Sequence, residues 1–229
     1  MTGTLDARTR RRVEHLDRGP LDRGEIAAMI ARDIAPGSYV NLGIGQPTMV
    51  ADYLDPAAEV VLHTENGMLG MGGAATGDAI DPDLTNAGKV PVTETPGASY
   101  FHHADSFAMM RGGHLDVCVL GAFQVSERGD LANWHTGAPD AIPAVGGAMD
   151  LAIGAKRVFV MMTLFGKDRT AKLVPECSYP LTGLRCVSRL YTEYAIFDID
   201  NAGDGRVRVL ETFAISIAAL EKRLHIALS

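Results

Sequence analysis

Short apolar segments and amphipathic segments alternate along the first two thirds of the chain, and this alternation is the feature that most limits its fold. In residues 25–34, Ile26, Met29, Ile30 and Ile34 share one helical face, and residues 39–42 follow as a short apolar strand. The same order recurs in later segments: a helix after Pro47, a strand at 59–63, a helix at 104–111, a strand at 116–120, a helix after Gly147 and a strand at 157–162. Such an order predicts an α/β fold with a mostly parallel sheet and helices on both faces.

The C-terminal third has a different pattern. Residues 193–199 and 206–210 flank the turn-rich stretch 201–205, which predicts an antiparallel hairpin, and residues 220–228 are expected to form a closing helix. No internal repeat or low-complexity linker divides the chain. We therefore expect a polar N-terminal leader at 1–23, which contains Arg8-Thr-Arg-Arg-Arg12, and a single domain at 24–229.

Composition narrows the class of protein. The formal net charge of -7 gives no basic surface for nucleic acid. No apolar run is long enough to span a membrane, and the N-terminus lacks the apolar core of a signal peptide. The three cysteines (Cys118, Cys177 and Cys186) show no metal-binding or disulfide pattern, which favours a reducing environment. These features predict a soluble cytoplasmic protein.

Two segments that follow predicted strands carry the candidate chemistry. In an open parallel sheet, ligands bind beyond the carboxyl ends of the strands. Gly43-Ile-Gly-Gln-Pro-Thr48 resembles the start of a dinucleotide-binding fingerprint but has Thr48 in place of the third glycine, so it is a weak signal. Glu65 is a lone carboxylate at the end of a strand, and the glycine-rich segment 67–73 after it is expected to form a loop that lets a substrate approach.

These residues alone leave alternatives open. A carboxylate at the end of a strand often only caps the next helix, and glycines often only form turns. A metal site is not predicted, because His102, His103 and Asp105 lack the spacing that places two ligands on one helical face.

Four segments in order resemble signature segments of the class I coenzyme A (CoA) transferases, specifically their B subunit. They are Val40-Asn-Leu-Gly-Ile-Gly-Gln-Pro-Thr48, Glu65-Asn-Gly-Met-Leu-Gly-Met-Gly72, Asp83-Leu-Thr-Asn-Ala-Gly-Lys89 and Gly146-Gly-Ala-Met-Asp-Leu151. The resemblance covers about residues 24–211, and residues 101–114 and 131–137 are most similar to 3-oxoadipate CoA transferases. It implies a fold of the CoA-transferase and ribose-phosphate-isomerase-like type. Thr64 departs from the family pattern, which commonly has serine there, and segment 73–81 is irregular.

The resemblance also implies roles for individual residues. Glu65 matches the glutamate that attacks the acyl-CoA thioester and is then captured by CoA as a glutamyl thioester. Gly146 or Gly147 would supply an oxyanion-binding amide, and Asn41 would orient Glu65. Asn41, Gly67 and Lys89 are assigned to CoA binding, and the alternative for Lys89 is an ordinary solvated surface lysine.

The implied activity is transfer of CoA from succinyl-CoA to a 3-oxo acid, with 3-oxoadipate favoured and acetoacetate as the alternative. CoA would be a co-substrate, no tightly bound cofactor is expected, and a separate A subunit would complete the active site. His102, His103, Arg111 or His135 could bind the distal carboxylate of a dicarboxylic acid. Two other interpretations stay open: a phosphosugar isomerase or deaminase of related fold, and a non-catalytic CoA-binding or scaffold partner.

Overall fold

The computed structural model describes residues 13–138, 145–203 and 205–229. Its regular elements are four α-helices and thirteen strands within those ranges. The helices are α1 (Arg23–Asp33), α2 (His103–Arg111), α3 (Ala148–Gly154) and α4 (Ile217–Leu224). The strands are β1 (Val13–His15), β2 (Tyr39–Leu42), β3 (Val61–Thr64), β4 (Met68–Ala74), β5 (Val92–Tyr100), β6 (Val117–Leu120), β7 (Gln124–Ser126), β8 (Leu131–Ala132), β9 (Arg157–Met161), β10 (Leu173–Val174), β11 (Val187–Tyr191), β12 (Ala195–Ile199) and β13 (Val207–Phe213).

Ten of these strands form one sheet in the order β1-β13-β12-β11-β9-β6-β2-β3-β4-β5, and β10, β7 and β8 form a small second sheet. Within the large sheet, the strands from β11 through β9, β6 and β2 to β3 pair in parallel. Antiparallel hairpins lie on both sides of this parallel block, β12–β13 beyond β11 and β4–β5 beyond β3. The predicted α/β class with a mostly parallel sheet and a C-terminal hairpin is confirmed.

Alternate residues of the central strands face two separate cores, because successive side chains of a strand point to opposite faces. On β6, Val117 and Val119 pack into one core, whereas Cys118 and Leu120 pack into the other. Helix α1 covers the first face with its predicted apolar side, including Ile26 and Ile30, and helices α2, α3 and α4 cover the second. Helices therefore lie on both faces of the sheet, as the alternation predicts.

The helix ends are set by local hydrogen bonds. At the start of α1, the amide of Glu25 donates to the Asp22 carboxylate at 2.8 Å, and the amide of Asp22 donates to the Glu25 carboxylate at 2.9 Å. This reciprocal capping box satisfies two amides that the first helical turn leaves unpaired. Gly37, with a φ of 73°, then turns the chain into β2.

Three predicted segments differ from the structure. The glycine-rich segment expected to be a loop forms β4, because its backbone pairs with β3 on one side and β5 on the other. The closing helix begins at Ile217 rather than at residue 220, because Ser216 caps it, and it ends at Leu224 before His225, whose φ is 56°. The helix predicted after Pro47 is a 3-10 helix, Gln46–Tyr53.

The predicted leader is only partly covered. Residues 1–12, with the arginine cluster, lie outside the described residues. The remainder is not merely solvated: β1 pairs in parallel with β13, and Leu21 is buried against the core. The single-domain boundary at residue 24 stays a prediction.

Candidate active site

Glu65 lies in the tight turn that joins β3 to β4. Thr64 and Met68 face each other across this hairpin, so only three residues make the connection. The amide of Met68 donates to Oγ1 of Thr64 at 3.0 Å, which closes the turn from the side-chain side. Glu65 is half-buried and Asn66 is exposed, so the turn directs polar groups away from the core.

Gly67 gives this turn its shape. Its φ of 114° lies in a region that residues with a Cβ rarely adopt, and a Cβ would lie 2.1 Å from the carbonyl oxygen of Phe101. The amide of Phe101 donates to the carbonyl of Gly67 at 3.0 Å, which ties the turn to the segment after β5. The sequence predicted a CoA contact for Gly67, but it does not line the cavity beside Glu65.

A cavity of about 720 Å³ lies at the carboxyl ends of the parallel strands. The residues that follow β2, β3, β6 and β9 all line it, which is the edge where open parallel sheets bind ligands. Four of the six predicted site residues are brought together on its wall: Asn41, Glu65, Gly146 and Gly147.

Gly147 lies directly against the carboxylate of Glu65. A Cβ on Gly147 would be 2.3 Å from Oε2 and 2.7 Å from Cδ of Glu65, so only glycine fits there without displacing the carboxylate. Gly147 is buried and precedes the first residue of α3. Gly146 is exposed and has a φ of 51°, which turns the backbone into the helix.

A buried set of polar side chains lies behind Glu65. Nδ2 of Asn41 is 3.0 Å from Nδ1 of His63 and also donates to the His63 carbonyl at 3.1 Å. On the other side of the ring, Nε2 of His63 is 3.0 Å from Oγ of Ser106, which donates to the Thr64 carbonyl at 3.1 Å. Burial lowers the pKa of His63 to about 4, so the ring is neutral at pH 7.

This arrangement differs from the role expected for Asn41. Its hydrogen bonds are to His63, which lies next to the turn, and not to the Glu65 carboxylate. Sequence reasoning missed both His63 and Ser106. His63 was interpreted only as the last residue of a strand, and Ser106 lies 43 residues further along on α2.

Lys89 lies outside the cavity wall. It is exposed, with a φ of 60°, in a turn where its amide donates to the carbonyl of Asn86 at 2.9 Å. Asn86 and Ala87, from the same turn, do line the cavity. The contact of Lys89 with CoA therefore remains a prediction, which concerns the rim of the site.

Of the basic residues considered for a distal carboxylate, only His103 lines the cavity. His102 accepts from the amide of Ala104 and caps α2, His135 accepts from the amide of Gly137, and Arg111 pairs with Asp150 at 2.7 Å. Lys172, which the sequence did not single out, also lines the cavity. Burial lowers the pKa of Lys172, and the nearby carboxylate of Glu193 opposes that shift.

Two classes of feature are absent from the described ranges. No three His, Cys, Asp or Glu side chains there lie close enough together to hold a metal ion. Among the same residues, no helix is both long and apolar enough to cross a membrane.

Comparisons with known proteins agree on one family. Residues 23–215 match the family described as Coenzyme A transferase. The chain is 62% identical to the B subunit of the 3-oxoadipate CoA-transferase of Pseudomonas putida, over 80% of this chain and 85% of that protein. It is 46% identical to the B subunit of the probable succinyl-CoA:3-ketoacid coenzyme A transferase of Bacillus subtilis, over 82% of this chain and 86% of that one.

A solved structure supports the fold. The acyl-CoA transferase apoenzyme of Escherichia coli superposes with a TM-score of 0.68 at 20% identity, over 94% of this chain. The match spans only 43% of that longer chain. The matches do not favour the phosphosugar isomerase alternative, because the family and both relatives are named as transferases.

Proposed function

This chain belongs to the coenzyme A transferase family, and we propose that it is the glutamate-bearing B subunit of an enzyme that moves CoA from succinyl-CoA to 3-oxoadipate. The observation that carries this proposal is the position of Glu65. Its carboxylate lies on the wall of the cavity at the carboxyl edge of the sheet, in contact with Gly147.

A carboxylate is suited to this exchange because its anhydride and its thioester both stay activated, so the thioester energy of the substrate is conserved. One Glu65 oxygen attacks the acyl carbonyl of succinyl-CoA, and the CoA thiolate leaves as a mixed anhydride forms. The thiolate then attacks the Glu65 carbonyl, which releases succinate and leaves CoA as a glutamyl thioester. The carboxylate of 3-oxoadipate attacks that thioester, and the two steps run in reverse to give 3-oxoadipyl-CoA and free Glu65.

Each of these steps passes through a tetrahedral intermediate that carries an oxyanion. A preorganised amide donor at such a position contributes about 3 kcal/mol. The backbone at Gly146 and Gly147 is the candidate donor, since Gly147 lies against the Glu65 carboxylate and has no side chain in the way.

The glutamyl thioester must be shielded from water, because hydrolysis would waste the activated intermediate. Glu65 is half-buried in this chain, and Gly146, which lines the same cavity, is exposed. We therefore infer that a separate A subunit covers the cavity. The similar proteins from Pseudomonas putida and Bacillus subtilis are both named as B subunits, which supports this inference.

The assignment of 3-oxoadipate rests on relative similarity. Identity is 62% to the 3-oxoadipate enzyme and 46% to the succinyl-CoA:3-ketoacid enzyme. His103 and Lys172 give the cavity two basic side chains of the kind that bind a distal carboxylate, which suits the succinyl group of the donor with either acceptor. Acetoacetate, which has no second carboxylate, is the competing acceptor.

The test uses the chain assembled with a candidate A subunit. Succinyl-CoA alone should make the complex sensitive to borohydride, with the reduced residue at Glu65, and 3-oxoadipate should then be a better CoA acceptor than acetoacetate. Glu65→Gln should lower turnover at least about 10³-fold, because it removes the nucleophile. Glu176→Gln, which alters an exposed carboxylate elsewhere, is the matched control and should keep full turnover.

Two outcomes would contradict the proposal in different ways. Turnover that survives Glu65→Gln would exclude the covalent role of Glu65. Trapping at Glu65 together with a preference for acetoacetate would keep the transferase mechanism and reject the assigned acceptor.

A further inference from the structure

Three polar side chains form a continuous hydrogen-bonded chain beneath the turn that carries Glu65. Asn41, His63 and Ser106 are 3%, 2% and 0% exposed, although Asn41 and His63 also border the cavity. They come from three different elements, β2, β3 and α2. Buried polar groups of this kind are costly unless every member is satisfied, so their bonding pattern is informative.

The hydrogen positions in this chain follow from chemistry. The amide nitrogen of Asn41 can only donate, so Nδ1 of His63 accepts at 3.0 Å and the ring proton lies on Nε2. Nε2 then donates to Oγ of Ser106 at 3.0 Å, and the hydroxyl proton of Ser106 is directed to the Thr64 carbonyl at 3.1 Å. A neutral His63 with its proton on Nε2 therefore gives every donor in this series of hydrogen bonds an acceptor.

The chain ends on the residue that precedes Glu65. The carbonyl of Thr64 is held from below by Ser106, while the side chain of Thr64 holds the amide of Met68 across the hairpin. Both backbone ends of the three-residue turn are therefore fixed by polar contacts. Gly147 lies against the Glu65 carboxylate and restricts its movement.

We propose that His63 is a positioning residue, which bridges Asn41 and Ser106 so that the Thr64–Glu65 backbone presents the carboxylate to the thioester. This inference rests on the proposed function, because it assigns the aim of Glu65 in that reaction. His63 does not carry out chemistry itself. Its contribution comes through geometry, where a misplacement of about 1 Å can cost 10²-fold in rate.

A purely structural role makes a different prediction. If the chain only satisfied buried groups, its loss would lower stability and the yield of folded protein, whereas the folded enzyme would form the glutamyl thioester at the normal rate. A positioning role slows that step in the folded enzyme and leaves substrate affinity largely unchanged.

The experiment compares His63→Leu with His63→Gln in the complex with the A subunit. Leucine fills similar space without hydrogen bonds, whereas the glutamine amide can both accept from Asn41 and donate to Ser106. The rate of borohydride trapping with succinyl-CoA, kcat and KM are measured on complexes whose folded fraction is checked by circular dichroism. We expect His63→Leu to lower trapping rate and kcat about 10²-fold with KM within about 2-fold, and His63→Gln to recover to within about 5-fold.

Ser106→Ala tests the same hydrogen bonds with a smaller change of side chain than His63→Leu, and it should lower kcat about 10-fold. Ser188→Ala is its matched control, because Ser188 also donates to a strand carbonyl, that of Val158 at 3.0 Å, but does not line the cavity. That control should keep full kcat.

The results separate the two proposals. Normal trapping by folded His63→Leu and Ser106→Ala complexes, or equal slowing by His63→Leu and His63→Gln, would overturn the positioning role and leave the proposed function intact. A wild-type complex that traps nothing at Glu65 with succinyl-CoA would overturn both.

Discussion

Two hairpins flank the parallel strands of the large sheet, and they are built in opposite ways. The β12–β13 hairpin is apolar on both faces, with residues such as Phe197 and Val209 in one core and Ile196 and Leu210 in the other. The β3–β4 hairpin carries glycines along β4 and has the polar side chains of His63 and Ser106 behind Glu65. The pairing of β4 with its other neighbour, β5, shifts register twice. One hairpin stabilises the sheet, whereas the other holds Glu65, the proposed nucleophile.

The difference shows where stability and reactivity reside in the molecule. A residue that must reach a substrate is held best when its backbone is fixed and its side chain is left partly open. The β3–β4 turn meets that condition because its neighbours carry the hydrogen bonds. Substitutions in the two hairpins should therefore change different quantities.

The largest expected effect is on the stability of the C-terminal side. Arg189, on β11, is almost fully buried and pairs with Asp33 at 3.1 Å and with Asp198 of β12 at 3.0 Å. Arg189→Met should lower the free energy of unfolding by about 3 kcal/mol, because the fully buried carboxylate of Asp33 loses a buried partner. Urea denaturation measures this loss, and turnover per folded complex should not change.

Lys156→Met is the control for that prediction. Lys156 pairs with Asp116 at 2.8 Å but is exposed, so its loss should cost below about 1 kcal/mol. Equal losses of unfolding free energy in the two variants would mean that burial does not make the Arg189 ion pairs contribute more to stability than the exposed Lys156 pair.

The next effect is on turnover and concerns the site hairpin. Gly147→Ala should lower kcat about 10²-fold, because the added Cβ displaces the Glu65 carboxylate. Steady-state kinetics of the assembled complex measures it. Gly73→Ala, on β4 with open space around the added Cβ, should leave kcat within about 2-fold. A Gly147→Ala complex with normal kcat would show that the carboxylate can move aside.

A smaller effect is on the pH dependence of stability. Burial lowers the pKa of His63 from 6.5 to about 4, so the unfolded chain binds a proton more readily than the folded protein between those values. Stability from this residue is present above pH 6.5 and is lost as pH falls towards 4, by a total of about 3 kcal/mol. Thermal unfolding of wild type and His63→Gln from pH 7.5 to 4.5 should converge if this holds, and parallel curves would contradict it.

The smallest effects come from one substitution made in both hairpins. Thr64→Val removes the acceptor of the Met68 amide and should cost about 1 kcal/mol. Thr212→Val, on β13, removes a buried hydroxyl that has no hydrogen-bond partner among the described residues, and should be neutral or stabilising by up to about 1 kcal/mol. Chemical denaturation of both variants checks the sign, and the same sign for both would remove this contrast between the hairpins.

The sequence predicts these two regions unequally for a physical reason. The β12–β13 hairpin follows from apolar runs around a turn-rich stretch, which is a local signal. Strand β4 was predicted to be a loop, since glycines have low strand propensity and its pairing partners supply the structure. The local sequence pattern of a glycine-rich segment does not show that it will pair with strands on both sides.

The residues of the candidate site were also predicted unequally. The family resemblance placed Glu65, Gly146 and Gly147 in one neighbourhood, and all three line one cavity. The contacts of His63 with Asn41 and Ser106 join residues that are 22 and 43 positions away, so spacing alone could not reveal them. Side-chain orientation also decided which basic residues line the cavity, and only His103 of those considered does so.

The short turn between β3 and β4 has a consequence for anyone who wishes to redesign this enzyme. Only residues 65–67 connect the paired Thr64 and Met68, so one residue added there would change the turn and move Glu65 relative to Gly147. The turn is therefore a poor place to change loop length. The connection between β4 and β5, at 75–91, is the segment where length can be changed to reshape the rim, since Asn86 and Ala87 reach the cavity from there.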